Sequence, residues 1–226
     1  MAPIYDCSID TELLTGTRLA RSAIARGELV VLPTDTVYGL AADAFQPEAV
    51  ARLLKAKGRG RQSPPPVLIP GIPTLDALAE TVPDEVRILV DKFWPGGLTI
   101  ILPARSSLDW DLGETRGTVA LRMPDDALAC EILSETGPLA VSSATLTGEP
   151  AAMTAAAAHA MLGDSVAIYL EAGPVGVAYE GAAPSTGSTI VDATGLLLPE
   201  GKLRIVRHGV IADELIIEAV GAEKVA

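Results

Sequence analysis

Apolar residues along this chain follow two alternating rhythms. Leu13, Thr17, Ala20 and Ile24 recur at helical spacing and stop at Gly27, a residue suited to close a helix because left-handed backbone angles cost it nothing. Leu29 to Leu32 then form a short apolar run of the kind a buried strand presents. The order repeats. A helix from Pro47 to Lys57, with Val50, Leu53 and Leu54 on one face, precedes a strand at Val67 to Ile69. A helix beginning at Pro83, with Val86, Leu89, Val90 and Phe93 on one face, precedes a strand at Leu98 to Leu102. Further strands are predicted at Thr118 to Arg122, Leu139 to Ser143, Val166 to Leu170, Ser188 to Ala193 and Leu203 to Arg207. Helices are predicted at Asp126 to Glu135, Met153 to Leu162 and Asp213 to Val220.

Strands alternating with helices imply an α/β fold whose sheet is covered on both faces. Between Leu102 and Thr118 a polar loop replaces the helix, so that pair of strands is expected to be antiparallel and the sheet mixed. The loop from Gly173 to Gly187, rich in Gly, Ala and Pro, is a candidate flap. Neither loop has the character of a domain linker, and 226 residues suffice for one domain with its own core.

Composition narrows the setting. Hydrophobic residues make up 49%, yet no apolar run approaches the roughly 18 residues of a membrane span, and the N-terminus lacks a secretory signal, so a soluble cytoplasmic protein is expected. Cys7 and Cys130, far apart and without companion histidines, support neither a disulfide framework nor a zinc site; two buried free thiols are expected. A net charge of −12 argues against non-specific nucleic-acid binding. Against that background Arg52, Lys55, Lys57, Arg59 and Arg61 form a local basic patch with no acid among them. The patch suits either an anionic ligand or a solvated helix end, whose dipole favours cations.

No P-loop, G-x-G-x-x-G, H-E-x-x-H or G-x-S-x-G element is present, and with only His159 and His208 a histidine triad is not expected. His159 reads as structural, whereas His208 lies beside Arg207. Four segments carry candidate chemistry. Pro33 to Leu40, PTDTVYGL, follows a strand and offers Thr34, Asp35 and Thr36 to a polar ligand; an ordinary turn uses the same residues. KAKGRGRQSPPP sets Lys57, Arg59 and Arg61 between glycines, a mixture of point charge and fork that suits polyphosphate. VSSATLTGEPAAMT places hydroxyls before a helix, for an anion or for simple capping by Thr147 or Thr154. Arg122 and Arg207 end two strands and Ser188 starts another; buried arginines require either an anionic ligand or a salt bridge to Asp or Glu.

Together PTDTVYGL, KGR, FWPGGLT (Phe93 to Thr99), VALRMP (Val119 to Pro124), the SSA-x-x-x-G element (Ser142 to Gly148), STIVD and RHG resemble the YrdC/Sua5/YwlC family of threonylcarbamoyl-AMP synthases, over roughly Ile24 to Val210. The AKGRGR run and the WDLGETRGT loop look like its actinobacterial branch. The resemblance implies a YrdC-like twisted open mixed sheet flanked by helices, in a single domain over residues 1–226 with its core at 12–210; the chain is too short for the C-terminal domain of the larger Sua5 form.

The resemblance also implies an activity, in which L-threonine, bicarbonate or CO2, and ATP give threonylcarbamoyl-adenylate and pyrophosphate, for t6A formation on tRNA. Mg2+ is expected with ATP, and tRNA and the t6A transferase machinery are expected partners. Carried over by motif, Lys57, Arg59, Ser143 and Thr145 take the catalytic positions. ATP is expected at Lys57, Arg59, Arg61, Thr118, Ser143, Ser188 and Arg207, and threonine at Thr34 and Arg122. Metal ligands are not assigned. The chain departs from the family where Ser143-Ala144-Thr145 replaces S-x-N, and where Ser63 replaces a lysine. Threonine keeps a hydroxyl but lacks the carboxamide's donors and carbonyl acceptor. The competing reading is a non-catalytic module of the same fold that binds tRNA or double-stranded RNA through a basic surface.

Overall fold

The computed structural model describes residues 1–179 and 186–226. Their elements are β1 (Ile4–Asp6), α1 (Asp10–Ala25), β2 (Val30–Leu32), β3 (Gly39–Asp43), α2 (Pro47–Ala56), β4 (Val67–Leu68), α3 (Ile72–Leu78), α4 (Asp84–Phe93), β5 (Leu98–Pro103), β6 (Thr118–Arg122), α5 (Ala127–Thr136), β7 (Leu139–Ser143), α6 (Ala155–Leu162), β8 (Ile168–Glu171), β9 (Thr189–Asp192), β10 (Arg204–Arg207) and α7 (Asp213–Val220). All ten strands join one sheet in the order β1-β8-β2-β3-β7-β4-β6-β5-β9-β10. The sheet is mixed. β5 and β6 are antiparallel, as the polar loop between them requires, and β4–β6, β5–β9, β1–β8 and β2–β8 are parallel. Among the described residues no helix is long and apolar enough to cross a membrane.

Strand alternation decides which faces are buried. In the half built on β2, β3, β7 and β8, Val30, Leu32, Ile168 and Leu170 pack against Ala20 and Ile24 of α1 and Ile132 and Leu133 of α5. Their neighbours Val31, Leu40 and Tyr169 face the other way, onto Leu53 of α2 and Ala155, Ala158 and Leu162 of α6. That half is covered on both faces.

The other half is not. Leu98, Ile100, Leu102, Val119, Leu121 and Val191 bury against Leu75 and Leu78 of α3, Val86 and Leu89 of α4, and Ile216 and Val220 of α7. The alternate residues Thr99, Ile101, Thr118, Ala120, Arg122 and Ile190 floor an open cavity instead. The expectation of a sheet covered on both faces is corrected here, because no helix lies between β5 and β6 to cover the second face. The thiols are corrected too: Cys7 and Cys130 are unpaired but half-buried.

Candidate active site

The cavity over the open face has a volume of about 520 Å³ and takes walls from the 34–39 turn, the 64–66 prolines, β7 and the start of β9. Its size falls within the usual range for small-molecule and cofactor sites. All of its charged lining residues among the described ones are arginines: Arg59, Arg122 and Arg207. They do not have equivalent surroundings.

Arg122 ends β6 and is 6% exposed. Its Nε donates to the Gly96 carbonyl at 2.9 Å, Nη1 to Thr36 Oγ1 at 3.0 Å and Nη2 to Asp35 Oδ1 at 2.5 Å. The salt bridge considered for this arginine is therefore present, and with Asp35 the pair adds no net charge to the cavity. Thr34 belongs to the same turn. Its hydroxyl donates to the Val37 carbonyl at 2.7 Å and accepts from the amides of Thr36 and Val37, so the turn reading and the cavity-lining reading both hold.

Arg207 lacks such a partner. Its Nε donates to the Ser188 carbonyl and its Nη2 to Ser188 Oγ, each at 2.8 Å, and among the described residues no carboxylate meets it. Desolvation in the cavity wall lowers its pKa, and the charges of Arg122 and Arg59 lower it further. Ser188 Oγ also lies 2.7 Å from Thr99 Oγ1, which holds the serine against β5.

The end of α2 separates the basic residues of the KGRGR run. Gly58 adopts φ +66°, its amide donates to the Lys55 carbonyl, and the Arg59 amide donates to the Leu54 carbonyl at 2.8 Å. This paired closure of a helix needs a residue free to take left-handed angles. Lys57, just before the turn, points inward and is 1% exposed. Its ammonium donates to the carbonyls of Ser143 and Thr145 and lies 3.3 Å from Ser143 Oγ. Burial, then the neighbouring charge of Arg59, brings its pKa down to about 8. Arg59, just after the turn, reaches the cavity and bonds Thr147 Oγ1 at 3.1 Å and Ser142 Oγ at 3.5 Å. Arg61 turns outward into an exposed bidentate pair with Asp111.

The structure thus brings Thr34, Arg59, Thr118, Arg122, Ser143, Ser188 and Arg207 around one cavity. Lys57 and Thr145 stand behind its wall, and Arg61 lies in a separate outer groove. Thr145 contributes its main-chain carbonyl to Lys57, a contact that does not depend on which side chain follows Ala144. Thr147 is no simple cap. Its hydroxyl donates to the Lys57 carbonyl at 2.8 Å and so ties the KGR turn to the hydroxyl segment, while Thr154 does cap α6. His159 packs edge-on against Tyr169, in keeping with a structural role, and His208 pairs with Asp213 on the surface. Five contributors were not singled out from the sequence as site residues: Gly96 through its carbonyl, Thr99, Thr115, Ser142, and Tyr179, whose hydroxyl lies 3.2 Å from Asp35 Oδ2. A main-chain carbonyl carries no sequence signal, and Tyr179 lies 144 residues from its partner.

The family model Sua5_yciO_yrdC, described as telomere recombination, matches residues 22–209. A Mycobacterium tuberculosis protein provisionally named a threonylcarbamoyl-AMP synthase is 45% identical over 223 residues, spanning 99% of this chain and 97% of that protein. The Bacillus subtilis threonylcarbamoyl-AMP synthase is 36% identical over 184 residues, which span 80% of this chain and 52% of that one. The crystal structure of Pyrococcus abyssi Sua5 complexed with L-threonine aligns with a TM-score of 0.84 at 28% identity, over 100% of this chain and 62% of that chain. The chain belongs to the Sua5/YciO/YrdC family.

Proposed function

We propose that this chain is an L-threonylcarbamoyladenylate synthase, which converts L-threonine, bicarbonate or CO2, and ATP into threonylcarbamoyl-AMP and pyrophosphate. The observation that carries this reading is a cavity whose charged lining, among the described residues, is arginine alone, on a protein of net charge −12. Two of the three arginines have no carboxylate partner among the described residues. Such a cavity favours a polyanion. The names of the relatives and the threonine-bound Sua5 support the choice of ATP and threonine.

In this reading Arg122 and Thr34 take the amino acid, the arginine through the carboxylate, and Arg59, Thr118, Ser143, Ser188 and Arg207 hold the nucleotide. Threonine's amine adds CO2 to form a carbamate, whose oxygen attacks the α-phosphorus of ATP while the bond to the bridging oxygen of pyrophosphate breaks. Among the described lining residues there is no cysteine, histidine or carboxylate, so the chain contributes position and charge stabilisation. Mg2+ enters with ATP. Bound with the nucleotide it would supply charge neutralisation at the phosphate oxygens; among the described residues no three metal-ligating side chains come together. The adenylate then passes to the machinery that forms t6A on tRNA.

The basic patch does not favour the RNA-binding alternative. Arg61 is neutralised by Asp111, Lys57 is buried against two carbonyls and Arg59 reaches the cavity, which among the described residues leaves Arg52, held by the Gly27 carbonyl, and Lys55 as the exposed cations of that run without a carboxylate.

The direct test measures pyrophosphate release from ATP with each substrate omitted in turn. Release is expected only when threonine and bicarbonate are both present, and threonine-independent release at the same rate would refute the reading. Arg61→Ala should leave the KM for ATP within about twofold of the natural chain, as expected for loss of an exposed ion pair. Arg59→Ala should raise it about tenfold or more through loss of charge-assisted bonds to phosphate.

A further inference from the structure

We propose that Tyr179 is a positioning residue for the amino-acid end of the cavity, acting through Asp35 on Arg122; this rests on the reading that Arg122 receives the substrate carboxylate. A guanidinium carries five N–H donors in a rigid plane. Among the described residues, three of those on Arg122 are committed to Gly96, Thr36 and Asp35, and two remain for a ligand. Their direction is therefore set by whatever holds the other three.

Asp35 is the charged member of that set and is itself held on both oxygens. Oδ1 accepts from Arg122 and from the Asp125 amide at 3.0 Å, and Oδ2 accepts from the Tyr179 hydroxyl. The Tyr179 hydroxyl in turn accepts from the Gly97 amide at 3.1 Å. Burial, then the charge of Asp35, pushes the phenol's pKa up, so it is the protonated phenol that donates. With the Asp35 side chain only 6% exposed, no water replaces this donor freely. Removing it frees the carboxylate to rotate, and the guanidinium turns with it.

A β-carbon on Gly97 would lie 2.2 Å from Val210 Cγ2 and 3.3 Å from the Tyr179 hydroxyl oxygen, so Val210 is what demands glycine there, and the tyrosine packs closely beside it. Tyr179 itself is steadied by its amide bond to the Gly176 carbonyl and by the Val175 amide on the Met153 carbonyl, which seat this segment across the 34–38 turn.

The test is Tyr179→Phe, which keeps the ring and removes the oxygen. L-threonine is titrated calorimetrically into the natural chain and the variant, and KM values for threonine and ATP are measured separately. Threonine Kd and KM are expected to rise about tenfold, the effect of one lost hydrogen bond to a charged group. The KM for ATP and kcat at saturating threonine should stay near those of the natural chain, while the melting temperature should fall by about 2–4 °C or more because a buried carboxylate oxygen loses its donor. Added to Asp35→Asn, the tyrosine change should cost nothing more, because it acts through that carboxylate. Unchanged threonine affinity in Tyr179→Phe, or equal losses for threonine and ATP, overturns the proposal while the functional reading stands. Failure of the natural chain to bind threonine removes both.

Discussion

Arg122→Ala is expected to reduce threonine-dependent pyrophosphate release by at least about a hundredfold and to destabilise the protein by about 3–5 kcal/mol, the range for breaking a buried ion pair from one side. The two losses have different origins. On the proposed assignment activity falls because the amino-acid carboxylate loses its guanidinium partner. Stability falls because Asp35, with its side chain 6% exposed, keeps its charge but loses the guanidinium beside it. Denaturant unfolding separates the two when Arg122→Ala is compared with Arg122→Ala/Asp35→Ala. The double variant should recover part of the stability and none of the activity, because the buried carboxylate has gone and the threonine site has not returned. If the double variant is no more stable than the single one, the cost was packing around the arginine stem rather than an unpaired charge. Arg122→Lys supplies a charge without the fork and should leave threonine binding severely weakened.

Lys57→Met is expected to lower activity about a hundredfold, mainly through the KM for ATP, although Lys57 does not line the cavity. Its ammonium closes the carbonyls of Ser143 and Thr145 into one loop and stands directly behind Ser143, which does line it. Methionine preserves much of the buried stem but leaves both carbonyls without their donor, at a cost of about 1–3 kcal/mol for each unsatisfied group. Thr147 keeps its bonds to the Lys57 main-chain carbonyl in this variant, so the loss falls on the Ser143–Thr145 stretch behind the cavity wall.

The pH dependence gives an independent check. The folded-state pKa of Lys57 is about 8, against an ordinary 10.5, so between these values the unfolded chain binds the extra proton and stability from this group rises with pH. Below about 8 the full cost of holding the charged amine in the interior is present. ATP binding runs the other way. As pH rises through about 8 the amine loses its charge and one donor, so affinity for the triphosphate should weaken there. The inflection should be absent from Lys57→Met, and an identical profile in that variant would separate the inflection from Lys57.

Much of the fold was legible because amphipathic spacing survives in single elements. The limits of β6, β7 and α7 coincide with those read from periodicity. The elements missed lack such a signal. β1 is three residues at a sheet edge, and β3, with Gly39, Ala41 and Ala42, reads as the tail of the PTDTVYGL turn. α3 is seven residues with Pro73 near its start and Pro70 just before it, and prolines in a short segment look like punctuation even where the first turn of a helix tolerates them. Of the candidate flap, residues 180–185 lie outside the described residues, and residues 173–179 contribute Tyr179, whose hydroxyl donates to Asp35.

By itself the sequence determined the order of the elements that carry an amphipathic or apolar signal, the mixed sheet, the family and the segments that meet at the cavity, because periodicity, turn residues and motif spacing are local properties of the chain. Only the tertiary structure decided how three similar cations divide their work. Lys57, Arg59 and Arg61 alternate with glycines and look equivalent in one dimension, yet the left-handed turn at Gly58 sends the first behind Ser143, the second into the cavity and the third out to Asp111. The same holds for Arg122, whose neutralising partner Asp35 and that partner's anchor Tyr179 come from segments 87 and 144 residues apart from their contacts. Charge surplus in a cavity is a sum over groups that folding brings together, and no local pattern records which of them arrive already paired.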